Sequence, residues 1–175
     1  MTEGYHRRKQ PDLIRATLLA EAGALAARIG VQALTVQAVA VAAGVTKGGL
    51  LHHFPSKDLL VRALQADAIA GFDAAMQGYM AADPLPRGRF TRAYVRTCLD
   101  RAADGPSPML IAALWADPVL RRDWYDWMAR QEATHAATDG DPALQQIRLA
   151  ADGVWLAQTN GNDMAGWMDR LIAAI

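Results

Sequence analysis

Three times in its second half the chain sets a short polar side chain directly before a proline, at Ser107-Pro108, Asp117-Pro118 and Asp141-Pro142. Each pair is a helix start: the first residue's oxygen accepts a backbone N–H of the opening turn, and the proline supplies a helical φ where no N–H is needed. The punctuation continues throughout. Pro11 opens a segment whose apolar residues Ile14, Leu18, Leu25 and Ile29 share one helical face, closed by Gly30. Thr35 caps a short helix carrying Val36, Val39, Ala40 and Ala43, closed by Gly44. Thr46 caps the next, which must end near Phe54 because Pro55 disfavours helix in the residue before it. Ser56 caps a long segment to about Ala82, the stretch DPLPRG breaks it, and another helix runs from about Arg89 to Ala103. The last helix is expected from Asp163, with Met164, Trp167, Met168, Leu171, Ile172 and Ile175 at helical spacing. This predicts an all-α fold of about nine helices, three short ones at the N-terminus and a bundle of longer ones after them.

Composition agrees. Alanine is abundant and β-branched residues are few, which favours helix. At 175 residues, 52% hydrophobic and 21% charged, the chain is an ordinary globular one, with room for a small module fused to a larger one. The single Cys98 rules out an internal disulfide. No apolar run reaches the ~18 residues of a membrane span, and MTEGYHRRKQ is not followed by the apolar stretch of a secretory signal. A cytoplasmic protein without a membrane partner is expected. The net charge of zero hides an asymmetry: residues 1–65 hold eight Lys/Arg against four Asp/Glu, and residues 66–175 hold ten against fourteen. A basic head on an acidic body suits a head that meets a polyanion.

The stretch AGVTKGGLLHHFPSKDLL, Ala43 to Leu60, carries the most specific signal. Two short helices joined by a glycine turn define a helix-turn-helix. Ala40, four before Gly44, is small enough for a close crossing, and Gly44 can take the left-handed conformation that turns the chain. Val45 and Leu50 can face back into the small core, holding the second helix outward as a cylinder sized for the DNA major groove. Gly48 and Gly49 each cost ~1 kcal/mol relative to alanine inside a helix. The pair makes sense where the helix start presses against a sugar-phosphate wall or groove floor.

The segment LTVQAVAVAAGVTKGGLLHHFPSKDLL resembles the DNA-binding segment of the tetracycline-repressor (TetR) family, whose pattern ends in a helix followed by His-Phe, two linker residues and Lys. His53, Phe54 and Lys57 match it, over roughly residues 10–65. The resemblance implies that Thr35 and Thr46 cap their helices while offering hydroxyls and amides to phosphates. It implies that Lys47 reaches a guanine edge or a phosphate, and that Gly48 and Gly49 stand where relatives often touch bases. It makes His53, beside His52, and Lys57 contacts to the DNA backbone, with Phe54 packing inward. Leu51 departs from the pattern: the family usually has a tyrosine there that contacts the backbone, and a leucine suits a thymine methyl instead. On this basis residues 1–55, with a basic N-terminal arm, are expected to be the DNA-binding domain and residues 56–175 the ligand-binding and dimerisation domain.

Other chemistry is thin. His52 and His53 diverge by ~100° on a helix and cannot chelate one metal, and Cys98 and His135 have no ligand spacing around them. The only serines, Ser56 and Ser107, are both explained as caps. No catalytic residue, metal or cofactor is expected. The five tryptophans lie beyond residue 110. Trp124, Trp127, Met128, Gln131 and His135 fall along one broad helical face and are candidates for a pocket wall around an apolar or aromatic ligand, with ordinary core packing as the alternative. Leu144, Ile147, Ala151, Val154 and Trp155 form one stripe, and Met164, Trp167, Met168, Leu171 and Ile172 a second. Two such helices from each of two subunits can close a four-helix bundle. The expected function is a ligand-responsive homodimeric repressor released from a palindromic DNA operator by a small effector. The rival is a helical ligand-binding or catalytic protein whose helix-turn-helix no longer binds DNA.

Overall fold

A computed structural model describes residues 3–100 and 107–175. The side chains of the basic N-terminal arm and the expected helix end near Ala103 lie outside the described residues. Within them the chain is helical without strands, in ten helices: α1 (Glu3–Ile29), α2 (Val36–Ala42), α3 (Lys47–His53), α4 (Lys57–Ala82), α5 (Arg89–Leu99), α6 (Pro108–Trp115), α7 (Pro118–Thr134), α8 (Ala136–Asp139), α9 (Pro142–Thr159) and α10 (Trp167–Ala173). At Ser56, Asp117 and Asp141 the capping side chain acts as its sequence position requires. Ser56 Oγ accepts the Leu59 N–H at 3.1 Å, Asp117 Oδ1 accepts that of Val119 at 2.9 Å, and Asp141 Oδ1 that of Ala143 at 2.9 Å.

Three boundaries differ from expectation. Pro11 lies inside α1 instead of opening it. The short α8 is additional, one turn after α7 and too brief to leave a periodic signal. The last helix starts at Trp167, not Asp163: Asp163 Oδ1 accepts the Ala165 N–H at 3.0 Å in a turn, and left-handed Gly166 precedes the helix. Met164 therefore stands off the α10 stripe.

The described residues divide into two compact units. The first comprises Met1–Asp67 with Met109–Leu120. Its α1 buries Leu18, Leu19, Ala22 and Ala26, while Ile14 and Ile29 are exposed, so of the expected stripe Leu18 lies on the buried face and the two isoleucines do not. A Cβ on Gly23 would lie 3.3 Å from Leu110 and 3.4 Å from Leu64, so α1 packs closely on the side chains of α4 and α6 at this glycine.

The second unit comprises Ala68–Pro108 with Arg121–Ile175. Here α5 packs against α9, burying Phe90, Tyr94 and Val95 with Leu144, Ala151 and Trp155. The start of α5 is capped from a distant segment. Buried Asp139, ending α8, accepts the Thr91 N–H at 2.8 Å and its hydroxyl at 2.7 Å. Arg148, an almost fully buried cation on α9, donates to Thr91 Oγ1 at 2.7 Å and to Glu132 Oε1 at 3.0 Å, with its guanidinium 5.2 Å from the Phe90 ring centre. Buried charge is tolerated only when paired in this way. Gly88 begins α5 at φ +73°, and a Cβ there would collide with Ile175, so both backbone and space require glycine.

Candidate nucleic-acid interface

The first unit builds an outward helix from local parts. Thr35 Oγ1 accepts the Ala38 N–H at 3.1 Å to start α2. At its end Gly44 has φ +66°, its N–H bonds to Val41 O at 3.1 Å, and Val45 N–H reaches back to Ala40 O at 3.0 Å. This pair of bonds, around a left-handed glycine, closes a helix and redirects the chain. Thr46 Oγ1 then accepts the Gly49 N–H at 3.0 Å and starts α3. Ala40, Leu50 and Phe54 are buried and Val45 is half-buried, which fixes the face that α3 turns inward. Arg15 of α1 sits 5.3 Å from the Phe54 ring centre, a cation–π contact on the residue that sets the end of α3.

The other face of α3 is open. Lys47, Gly48 and His52 are exposed, and Gly49, Leu51 and His53 are half-buried beside them. The His52 and His53 rings meet edge-on with centroids 5.6 Å apart. A Cβ on Gly48 would have only Thr46 Oγ1 near it, at 4.0 Å, and one on Gly49 would meet Thr46 Oγ1 at 3.3 Å and Val45 at 3.9 Å. No atom of α2 crowds either position; the tight approach to the capping Thr46 oxygen is a local reason for glycine at Gly49, whereas packing within the chain does not require one at Gly48.

Lys57, at the first position of α4, is half-buried, and its Nζ donates to the Gln32 carbonyl at 2.8 Å. Gln32 Nε2 in turn donates to Asp117 Oδ2 at 2.9 Å. Lys57 thus braces the turn after α1 while keeping ammonium protons for another acceptor. Nothing in the sequence marked Gln32, because its partners lie 25 and 85 residues away.

In the second unit the candidate ligand residues separate. Trp124 and Trp127 are buried with centroids 5.2 Å apart, and Phe72 lies 5.0 Å from the first and 5.7 Å from the second. Met128, Gln131 and His135 are half-buried. Gln131 Nε2 donates to Asp73 Oδ1 at 3.2 Å, and the His135 ring stacks on Phe90 at 4.8 Å. The two tryptophans form a close-packed aromatic cluster, and the two polar side chains have partners within the unit.

Of the residues expected at a subunit contact, Leu144, Ala151, Val154, Trp155 and Leu171 are buried inside the chain, so their apolar surface is already used. Ile147, Met164, Met168 and Ile172 are half-buried and Trp167 is exposed, beneath the Arg170 guanidinium. The outward face of α9 is instead Gln146, Leu149, Ala150, Gly153 and Leu156, which carries no charge.

Two family profiles match. Residues 18–64 match the bacterial regulatory proteins of the tetR family, and residues 88–175, just over half of the chain, match the tetracyclin repressor-like C-terminal domain. No curated protein matches the chain. Among solved structures, the multidrug binding protein EbrR complexed with malachite green is similar at a TM-score of 0.70 and 20% identity, over 92% of this chain and 97% of that one. A member of the TetR family from Streptomyces coelicolor A3 gives 0.69 and 21%, over 93% and 98%. NalD, the secondary repressor of the MexAB-OprM multidrug efflux pump in Pseudomonas aeruginosa, gives 0.63 and 18%, over 94% of each chain. At these identities the likeness is one of fold.

Proposed function

The chain belongs to the tetR family of bacterial regulatory proteins, and from that premise we propose that it is a homodimeric repressor, released from a palindromic operator by a small apolar or aromatic effector. Residues 1–55 form the DNA-reading head and residues 56–175 take up the effector and the second subunit. The observation that carries this reading is the open face of α3. A Thr-capped helix presents Lys47, Gly48 and His52 to solvent, and Gly48 has no packing reason within the chain.

On this reading the Thr35 and Thr46 caps lie against phosphates, and Lys47 and His52 reach base edges or backbone. Leu51 meets a thymine methyl, and His53 and Lys57 hold the sugar-phosphate chain. Trp124, Trp127, Met128, Gln131 and His135 are the proposed effector-responsive group, with the tryptophan pair reporting any disturbance of the cluster by quenching. That a protein of the same fold binds malachite green, and another represses an efflux pump, supports an aromatic effector and negative control. The uncharged outward face of α9, centred on Gly153, supports a two-fold contact with a second copy, flanked by Trp167, Met168 and Ile172.

Selection on random DNA duplexes, followed by a salt titration of the selected sequence, tests the reading. A palindromic site whose affinity falls steeply with salt is the expected result. Absence of binding at low salt would instead favour the rival, a helical protein whose head no longer reads DNA.

A further inference from the structure

Within the second unit a cleft of about 270 Å³ opens between the end of α4 and α5. Most of its polar groups are already committed. Asp83 Oδ1 accepts the Leu85 N–H at 2.9 Å, and its Oδ2 accepts Arg92 Nε at 2.6 Å. Arg92 Nη2 donates to the Leu85 carbonyl at 2.8 Å. This pair is only 12% and 17% exposed, and the guanidinium beside Asp83 holds its carboxyl below the usual range, so it is a fixed, internally neutral part of the wall. The Tyr79 hydroxyl donates to Asp100 Oδ2 at 2.7 Å.

Arg96 is different. Its guanidinium stands 6.0 Å from the Tyr79 ring centre, solvent-facing, and among the described residues it makes no ion pair. Beside it the cleft is apolar, and Leu85 is 61% exposed on the wall. A cation with no ion pair among the described residues, next to an exposed apolar surface, is the arrangement that orients an amphipathic anion, with a carboxylate on the guanidinium and a hydrocarbon body on Leu85. The volume is below the ~300–1,000 Å³ of drug-sized sites, which limits the body to about one ring.

We propose that this cleft is a binding site for a small monocarboxylate with a single aromatic or branched aliphatic group, held by Arg96 and seated on Leu85. The proposal rests on the regulator reading only in making that molecule an effector; the site itself stands apart from it. It differs from the α7 aromatic face in place and in the charge of its ligand.

Calorimetric titration with phenylacetate and with neutral phenylacetamide tests the site, with operator affinity measured in parallel. Phenylacetate should bind at least about fivefold more tightly than the amide, a margin set by a solvent-screened charge pair. Arg96→Leu should remove the difference, Arg96→Lys should keep most of it, and Arg121→Leu, at an exposed arginine on α7, should change nothing. Equal binding of acid and amide, no phenylacetate binding, or an Arg96→Leu variant that binds like the wild type overturns the proposal. Binding through Arg96 that leaves operator affinity unchanged supports the site and removes the effector role. Failure of the protein to bind any DNA sinks the regulator reading and leaves the site standing.

Discussion

Gly48 is the residue where stability and function are expected to part. Alanine there would gain about 1 kcal/mol of helix propensity, and its Cβ would meet nothing closer than Thr46 Oγ1 at 4.0 Å. Gly48→Ala should therefore raise the thermal midpoint by about 2–4 °C and yet weaken operator binding, because the added methyl stands on the face proposed to meet DNA. Thermal unfolding and fluorescence anisotropy on one preparation check both halves; a variant that binds as tightly as the wild type removes the close-approach argument. Lys57 makes a second residue-scale case. Lys57→Ala should lower the salt slope of binding by ~1 without altering base preference. Gln32→Leu, which keeps the main-chain carbonyl that Lys57 uses, should leave the slope alone. A Lys57 variant with an unchanged slope and altered base preference would show that it touches bases.

At the scale of elements, the short α8 matters because it ends in Asp139, the cap of α5. Asp139→Ala would leave the buried Thr91 N–H and hydroxyl without their acceptor and should cost about 1–3 kcal/mol in urea unfolding. A cost close to zero would mean that water replaces the carboxylate. The contact between α5 and α9 also holds the Tyr94 hydroxyl bond to Asp152 Oδ1 at 2.5 Å. Burial pushes the Asp152 carboxyl above its ordinary range, against the Tyr94 bond and the nearby Arg148, and it pushes the Tyr94 hydroxyl and the Cys98 thiol up as well. A carboxyl raised in this way contributes stability fully present below its unfolded value of ~3.9, and loses it as pH rises through the folded value. Asp152→Asn keeps an acceptor for Tyr94 and removes that loss. It should melt higher than the wild type at pH 7, by a margin that shrinks towards pH 4. A margin independent of pH would rule out a charge cost at this site.

For the whole molecule the decisive quantity is which apolar surface remains after the chain has packed. Leu149 is 64% and Leu156 53% exposed on the same side of α9 as Gly153, whereas Leu171 is 8% exposed. Leu149→Lys should yield a folded monomer with poor operator affinity in sedimentation velocity. Leu171→Lys should unfold the protein, because the charge enters one chain's own core. A Leu149→Lys protein that still sediments as the wild-type dimer would move the contact elsewhere. Two heads joined in this way would read half-sites about one helical turn, or ~34–36 Å, apart or multiples of it, and the selected operator gives that spacing directly.

The existence and type of nearly every helix, and the turn that sets α3, followed from the sequence because their causes are local. A Thr, Ser or Asp oxygen reaches an amide two or three residues on, and Gly44 turns the chain by its own φ. The tetR resemblance was legible for the same reason, since its pattern falls within that contiguous segment. Facing was not legible. The buried side of α1 is marked by Leu18, Ala22 and Ala26, not by Ile14 and Ile29, because what decides it is how closely α4 and α6 approach. The α9 stripe turns inward to α5 and leaves Leu149 and Leu156 outside. Asp139 and Arg148 find Thr91 from 48 and 57 residues away, and the Arg96 cleft forms only when α5 comes up beside the end of α4. These depend on partners that the chain supplies at long range, and a side chain's neighbours along the sequence carry no record of them.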